Sequence, residues 1–376
     1  MKHKHLVLLV FLLKTSFAFT QTDRPTDKES TPEAVHLYKK LKSLNGKYLV
    51  GHQDALAYGV NWKYVDSASD IKNLVGDYPA LYGWELGGIE QGAPKNLDGV
   101  PFDAMRQFIK DGYRRGGVIT ISWHARNPVN DSTAWDTTRH SVANILPGQR
   151  YHKKFVRNLN RVAVFLSSLK DDTGKPIPIL FRPFHECTGN WFWWGVTGGN
   201  PSEFKQLFRF TVGYLREKMK LHNLLIVYNT GTEYDNEDEF LRLYPGDDIA
   251  DVVSFDTYER GDPELSYDFA EKLDSKLGIA ERMAARHDKI GAIAEIGYNG
   301  IPLSRWFTKI IEPVFKKHKF AYMLLWRNAG YHLKSGKMEY YAPFAGHPSA
   351  SDFLDFYKAP ETIFGQEAKE LSFYTP

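Results

Sequence analysis

The feature that most restricts the fold is a recurrence. Eight short apolar runs punctuate the 376 residues, at 48–50, 80–82, 117–122, 177–181, 224–227, 252–255, 290–294 and 322–325. Helix-period segments fill the intervals, among them 102–115, 151–170, 202–221, 265–286 and 303–317. In 202–221, residues Phe204, Leu207, Phe208, Val212, Leu215 and Met219 fall on one helical face. Continuously apolar strands must be covered on both faces, which is the condition of a parallel sheet flanked by helices. Eight such units predict a closed (β/α)8 TIM barrel of the α/β class in a single domain. An open doubly wound sheet is the alternative, but no G-x-G-x-x-G follows the first run. Neither a repeat nor a linker interrupts the chain, and barrels of this length form one domain.

Residues 1–20 stand apart. Lys2 and Lys4 precede an apolar core from Leu6 to Leu13, and small residues follow at Ser16 and Ala18. That order is a cleaved export signal, too short for a spanning helix. The one cysteine, Cys187, lies far from the cleavage region, so no thiol is placed to take a lipid. The expectation is a soluble exported protein, periplasmic or secreted, without a membrane anchor. Residues 21–30 are polar and Pro-containing, a flexible leader, and 31–376 form the barrel domain. Thr31-Pro32-Glu33 opens the first helix, Ala34, Leu37, Tyr38, Leu41 and Leu44 give it an apolar face, and Asn45-Gly46 ends it. The formal charge of +3 is carried by lysines of the signal, Lys2, Lys4 and Lys14. The mature chain is therefore near neutral, without the basic field that nucleic acid or an anionic membrane requires. Cys187 can form no disulfide within the chain and is read as a small buried apolar residue.

Chemistry gathers after the runs. The stretch 181–195 reads F-R-P-F-H-E-C-T-G-N-W-F-W-W-G, setting Arg182, His185 and Glu186 beside an aromatic cluster. A carboxyl among a guanidinium, an imidazole and indoles can have its pKa pushed either way, which acid–base chemistry exploits. Exposed tryptophan faces also stack on the apolar faces of sugars. The plainer alternative is a Trp-rich core with one satisfied glutamate. Other runs end similarly: Trp123-His124-Ala-Arg126-Asn127, Tyr228-Asn229, Asp256-Thr-Tyr258, Glu295-Ile-Gly-Tyr298 and Trp326-Arg327-Asn328. In a barrel these ends form the C-terminal face, where active sites are built.

Glu186 and Glu295 close the fourth and seventh runs, whose ends can face each other across a barrel mouth. Two opposed carboxyls are what glycoside hydrolysis needs, about 5–5.5 Å apart for retention and farther for inversion. The sequence leaves that separation open. Metal hydrolysis is the competing chemistry, but Gly189 stands where H-E-x-x-H needs its second histidine. His52, His124 and His185 lack the closely spaced ligand pairs of zinc sites. No metal and no cofactor are expected.

The motif R-P-F-H-E-C-T-G-N-W-F-W-W-G, with G-H-Q early and A-E-I-G-Y-N-G and W-R-N-A later, resembles glycoside hydrolase family 26, the β-mannanases. The resemblance runs from Gly51 to beyond Trp326. It implies a (β/α)8 barrel that hydrolyses β-1,4-mannosidic bonds with retention and without metal, on mannan, galactomannan or manno-oligosaccharides. By motif position Glu186 would be the acid/base and Glu295 the nucleophile. His185 would sit at the cleavage-site sugar, Trp191 would stack, and the Tyr258 hydroxyl would lie beside the nucleophile. Trp326 and Arg327 would line the glycone side, with His124 and Asp256 as further sugar contacts. Two other readings remain: a polysaccharide-binding protein that needs neither glutamate, and a hydrolase of mixed-linkage β-glucan or β-1,3-xylan. Endo or mannobiose-releasing action, tolerance of galactose branches and oligomeric state are not encoded in these motifs.

Overall fold

The computed structural model describes residues 23–332 and 336–375, and the expected export signal lies outside them. Eight parallel strands form the barrel: β1 (Tyr48–Gln53), β2 (Leu81–Glu85), β3 (Val118–Trp123), β4 (Ile179–Pro183), β5 (Leu224–Thr230), β6 (Val252–Glu259), β7 (Ile290–Tyr298) and β8 (Tyr322–Leu325). Each pairs with its sequence neighbour, and β8 pairs with β1 to close the ring. A two-residue strand, Thr362–Ile363, adds outside β1.

Side-chain parity sorts the core into two clusters. Leu49, Leu81, Val118, Leu180, Val227, Val252, Ala292 and Leu324 belong to the cluster inside the ring. Their neighbours Val50, Tyr82, Ile119, Phe181, Ile226, Val253, Ile293 and Met323 pack outward among the helices. This period-2 partition, buried on both faces, is why the runs read as continuously apolar.

Helix α1 (Pro32–Lys42) lies beneath the ring, its Leu37, Tyr38 and Leu41 joining the interior cluster and closing the N-terminal end. It starts as expected, with the Thr31 hydroxyl accepting from the Ala34 N–H. The outer helices include α2 (Phe102–Arg114), α3 (His152–Ser168), α4 (Pro201–Gly213) and α5 (Ser266–Arg286). Two expected helices are less regular. The segment after α4 continues as a π-helical turn, Tyr214–Lys218, and 303–317 holds a π turn, Phe307–Ile311, before the short Glu312–Phe315 helix. Pro313 has no N–H for the helical ladder, which accounts for the irregularity there.

The described part of the expected flexible leader is docked. The Thr26 N–H reaches Asp251 Oδ1 at 2.6 Å, and Asp27 takes His222 Nδ1 at 2.9 Å. Asp251 and His222 precede β6 and β5, so residues 23–30 strap the N-terminal face. The contact between Asp27 and its histidine partner, invisible as a pair in sequence, holds the segment down.

Candidate active site

Glu186 follows β4 in a tight turn. Phe184 (φ 53°) and Glu186 (φ 51°) both occupy the left-handed region, which L side chains rarely adopt and which surrounding structure must enforce. Phe184 is wedged among Trp193, Trp194, Phe204 and Phe208, while the Glu186 N–H donates to Asn229 Oδ1 at 2.8 Å. The aromatic cluster thus sets the turn. Trp193 and Trp194 are fully buried, and their indole N–H groups reach the carbonyls of Ala125 and His185, each at 2.8 Å. The core alternative is therefore right for those two. Trp191 is only half-buried and lines the groove.

Glu295 reaches the interior through a bulge. Along β6 and β7 the register runs Phe255 opposite Ile293 and then Asp256 opposite Glu295, leaving Ala294 as an extra residue. Ala294 belongs to the interior cluster, so strict alternation would send Glu295 outward among the helices. The bulge gives two successive residues, 294 and 295, the inward side, while Ile296 returns to the outer cluster.

One oxygen from each of Glu186, Asp256 and Glu295 lies within 4.8 Å of the others. Arg182 stands among them, fully buried. One guanidinium nitrogen bonds Asp256 Oδ2 at 2.7 Å and another bonds Glu295 Oε1. The Tyr258 hydroxyl donates to the second Glu295 oxygen at 2.5 Å. Asp256 also takes the Asn229 amide at 2.9 Å, so both its oxygens are engaged within the protein. It pairs with Arg182, although burial pushes it well above the usual carboxylate range. Three carboxylates this close also resemble a hard-cation donor set, but Arg182 already fills the positive position between two of them.

The two glutamates are treated differently. Burial, and then repulsion from Glu295, push Glu186 up to about 7, against the Trp191 N–H on its Oε2 at 2.6 Å. Glu295 instead receives a guanidinium and a phenol, one on each carboxylate oxygen.

His124, Trp191, Asp256, Tyr258 and Trp326 line a groove of about 820 Å³ together with Glu186 and Glu295. Two expected contacts lie elsewhere. His185 is buried behind His124, with the two Nε2 atoms 3.1 Å apart. Arg327 pairs with Asp98 and, at 2.7 Å, with Glu339, and borders a smaller depression of about 240 Å³ shared with Trp62 and Tyr331. His52 does not join the other histidines; it sits in a buried pocket facing Asp70 and Asn328.

Two residues escaped the sequence reading. Trp135 is 52% exposed, stacks on His124 at 5.0 Å between ring centres and lines the groove. Glu85, at the end of β2, is wholly buried beneath His124. Its inward parity with Leu81 and Gly83 was the available signal; Trp135 lies in a loop and left none.

A parallel barrel with two glutamates opposed at the C-terminal ends of β4 and β7, one proton-retaining and one clamped by donors, defines a glycoside hydrolase of the two-carboxylate kind. Comparison with known proteins narrows the class. The family model described as Glycosyl hydrolase family 26 matches residues 26–308. A mannan endo-1,4-beta-mannosidase of Bifidobacterium adolescentis is 31% identical over 349 residues, 88% of this chain and 34% of that protein. One from Thermothelomyces thermophilus is 29% identical over 71% of this chain and 51% of its own length. Among solved structures, a GH26 beta-mannanase from Bacteroides ovatus superposes with a TM-score of 0.87 at 39% identity, covering 92% of this chain and 98% of that one. The chain belongs to glycosyl hydrolase family 26, and it spans about a third to a half of the first two curated relatives.

Proposed function

We propose that this chain hydrolyses β-1,4-mannosidic linkages in mannan, galactomannan or manno-oligosaccharides by double displacement with retention. The observation that carries the reading is the opposition of Glu186 and Glu295 within 4.8 Å, nearer the retaining separation than the wider inverting one. Glu186, protonated below about 7, gives its proton to the leaving glycosidic oxygen as the bond to the anomeric carbon breaks. Glu295 attacks that carbon and forms a glycosyl ester; Arg182 and Tyr258 hold and orient its carboxylate beforehand. Glu186, now a carboxylate, takes a proton from water, which attacks the same carbon and releases Glu295.

In this reading Trp191, Trp326 and His124 contact the sugar chain. Tyr258 positions the nucleophile, Asp256 balances Arg182, and His185 supports His124. Arg327, tied to Asp98 and Glu339 beside the smaller depression, is left out of the sugar contacts. The mannan assignment is supported by the relatives, which are mannan endo-1,4-beta-mannosidases; that of the site rests on its geometry. Export is part of the proposal and is supported by the sequence of residues 1–20. Among the described residues no helix is long and apolar enough to cross a membrane.

Products from linear mannan, galactomannan, mixed-linkage glucan and β-1,3-xylan test the reading, with Glu295→Ala as control. Mannan cleavage that disappears in the control is expected. A mixed early ladder marks endo attack, and mannobiose alone from the outset marks a blocked groove. Cleavage of glucan or xylan only overturns the substrate, and cleavage of nothing favours a binding protein.

A further inference from the structure

Glu85 accepts four hydrogen bonds at the end of β2. Its Oε1 accepts the N–H groups of Gly87 (2.5 Å) and His124 (2.7 Å). Its Oε2 accepts the Ser122 hydroxyl (2.6 Å) and His124 Nδ1 (2.8 Å). The carboxylate is wholly buried and fully satisfied, and the His124 ring it grips is 7% exposed at the groove wall. Beyond that ring the chain of contacts passes to His185 Nε2 at 3.1 Å, while His185 Nδ1 has no partner.

We propose that Glu85 is a positioning residue of the reaction: it fixes both the ring and the charge of His124, and through that charge sets the pH at which Glu186 surrenders its proton. The inference rests on the assignment of Glu186 as the acid.

The physical chain has three links. A carboxylate with four donors stays ionised even in the interior, and one facing Nδ1–H favours the imidazolium. Accordingly, although burial opposes it, His124 is held above the usual histidine range by Glu85, then by Glu295 and Glu186. Glu85 is itself held below the carboxylate range, against burial, by His124 and its other donors. His185 is driven well below the histidine range by burial, then by His124 and Arg182, so the second positive charge is suppressed. One cation just after β3 therefore faces the catalytic carboxyls, with Arg182 from β4, Glu295 from β7 and Asp256 from β6 as the other ionisable groups around them, Asp256 itself pushed up by burial. A neighbouring cation favours the ionised acid, so His124 restrains the upward push that burial and Glu295 exert on Glu186.

Proton position follows from the same geometry. With His124 charged, its Nε2–H donates to the lone pair on His185 Nε2, and His185 carries its proton on Nδ1. With His124 neutral and Nδ1–H still given to Glu85, His185 must donate from Nε2 instead. Glu85 thus determines the tautomer of a ring one residue before the acid.

The test is Glu85→Gln, an isosteric change whose amide N–H suits a neutral imidazole at Nδ1. The imidazole of His124 and the carboxyl of Glu186 are titrated by NMR, alongside kcat/KM against pH on a manno-oligosaccharide. The His124 midpoint should fall. The Glu186 midpoint and the basic limb of kcat/KM should both rise, by on the order of one pH unit. His124→Gln should raise Glu186 by a similar amount, and the double variant no further, which keeps the test open if Glu85→Gln folds poorly. An unchanged Glu186 midpoint in either single variant, or further additive movement in the double, overturns the proposal. Shifted NMR midpoints without turnover on any mannan would retain the electrostatic link and reject the substrate reading instead.

Discussion

At the scale of single residues, the site works by giving chemically identical side chains unlike surroundings. Glu186 lies half-buried at the groove facing Glu295, with one indole donor, and stays protonated up to about 7. An acid must hold its proton in the free enzyme, so kcat/KM should decline as pH rises through about 7. Trp191→Phe removes the N–H that favours ionised Glu186, so the decline should move to higher pH, by on the order of one unit. A pH profile on a soluble oligosaccharide checks the sign. Arg182 carries the opposite burden, because Asp256 and Glu295 share its charge in the interior. Arg182→Met should lower unfolding free energy in urea by roughly 3–5 kcal/mol, since it strands two buried carboxylates. Turnover should vanish with it. Neither the sharing of Arg182 nor the Glu85–His124 contact is legible in sequence, because each joins residues from different strands.

Single elements place these side chains. The β7 bulge matters most for the site: without the extra residue at Ala294, the run G-A-I-A-E would alternate Glu295 away from the groove. The sequence identified the strand and the glutamate at its end, but parity was beyond it, since a bulge is fixed by pairing with the neighbouring strand. Helix α4 shows the reverse case. Asn200 accepts the Glu203 N–H at 3.0 Å and Glu203 returns to the Asn200 N–H at 2.9 Å, a capping box with proline at the first helical position. This follows from the local order N-P-S-E and needs no tertiary partner. Asn200→Ala should cost about 1 kcal/mol in chemical denaturation. The same variant should leave kcat unchanged, because the cap is remote from the carboxylates. The aromatic run 191–194 lies between these cases. Sequence marked all its tryptophans, but only the fold separates Trp191 at the groove from Trp193 and Trp194 in the core.

Across the whole molecule, stability and chemistry occupy opposite ends of the barrel. The C-terminal face carries the charged groove, and the N-terminal face is sealed by α1 and by the strap of residues 23–30. Asp27 ties the strap to His222 and caps the Glu29 N–H at 2.9 Å. Asp27→Ala should lower stability by about 1–3 kcal/mol with kcat unaltered, measured by urea unfolding beside a turnover assay. Loss of activity without loss of stability would contradict this division. The eightfold recurrence of apolar runs was enough to establish the barrel, its strand order and the face on which Glu186 and Glu295 lie, because burial on both faces of a strand is written in local composition. How far the surroundings raise Glu186, where Arg182 places its charge, and that Asp256 and Arg327 are engaged with protein partners were decided only by tertiary structure. Those properties depend on distances between strands far apart in sequence, and Coulomb interactions and desolvation respond to distance and burial, not to residue order.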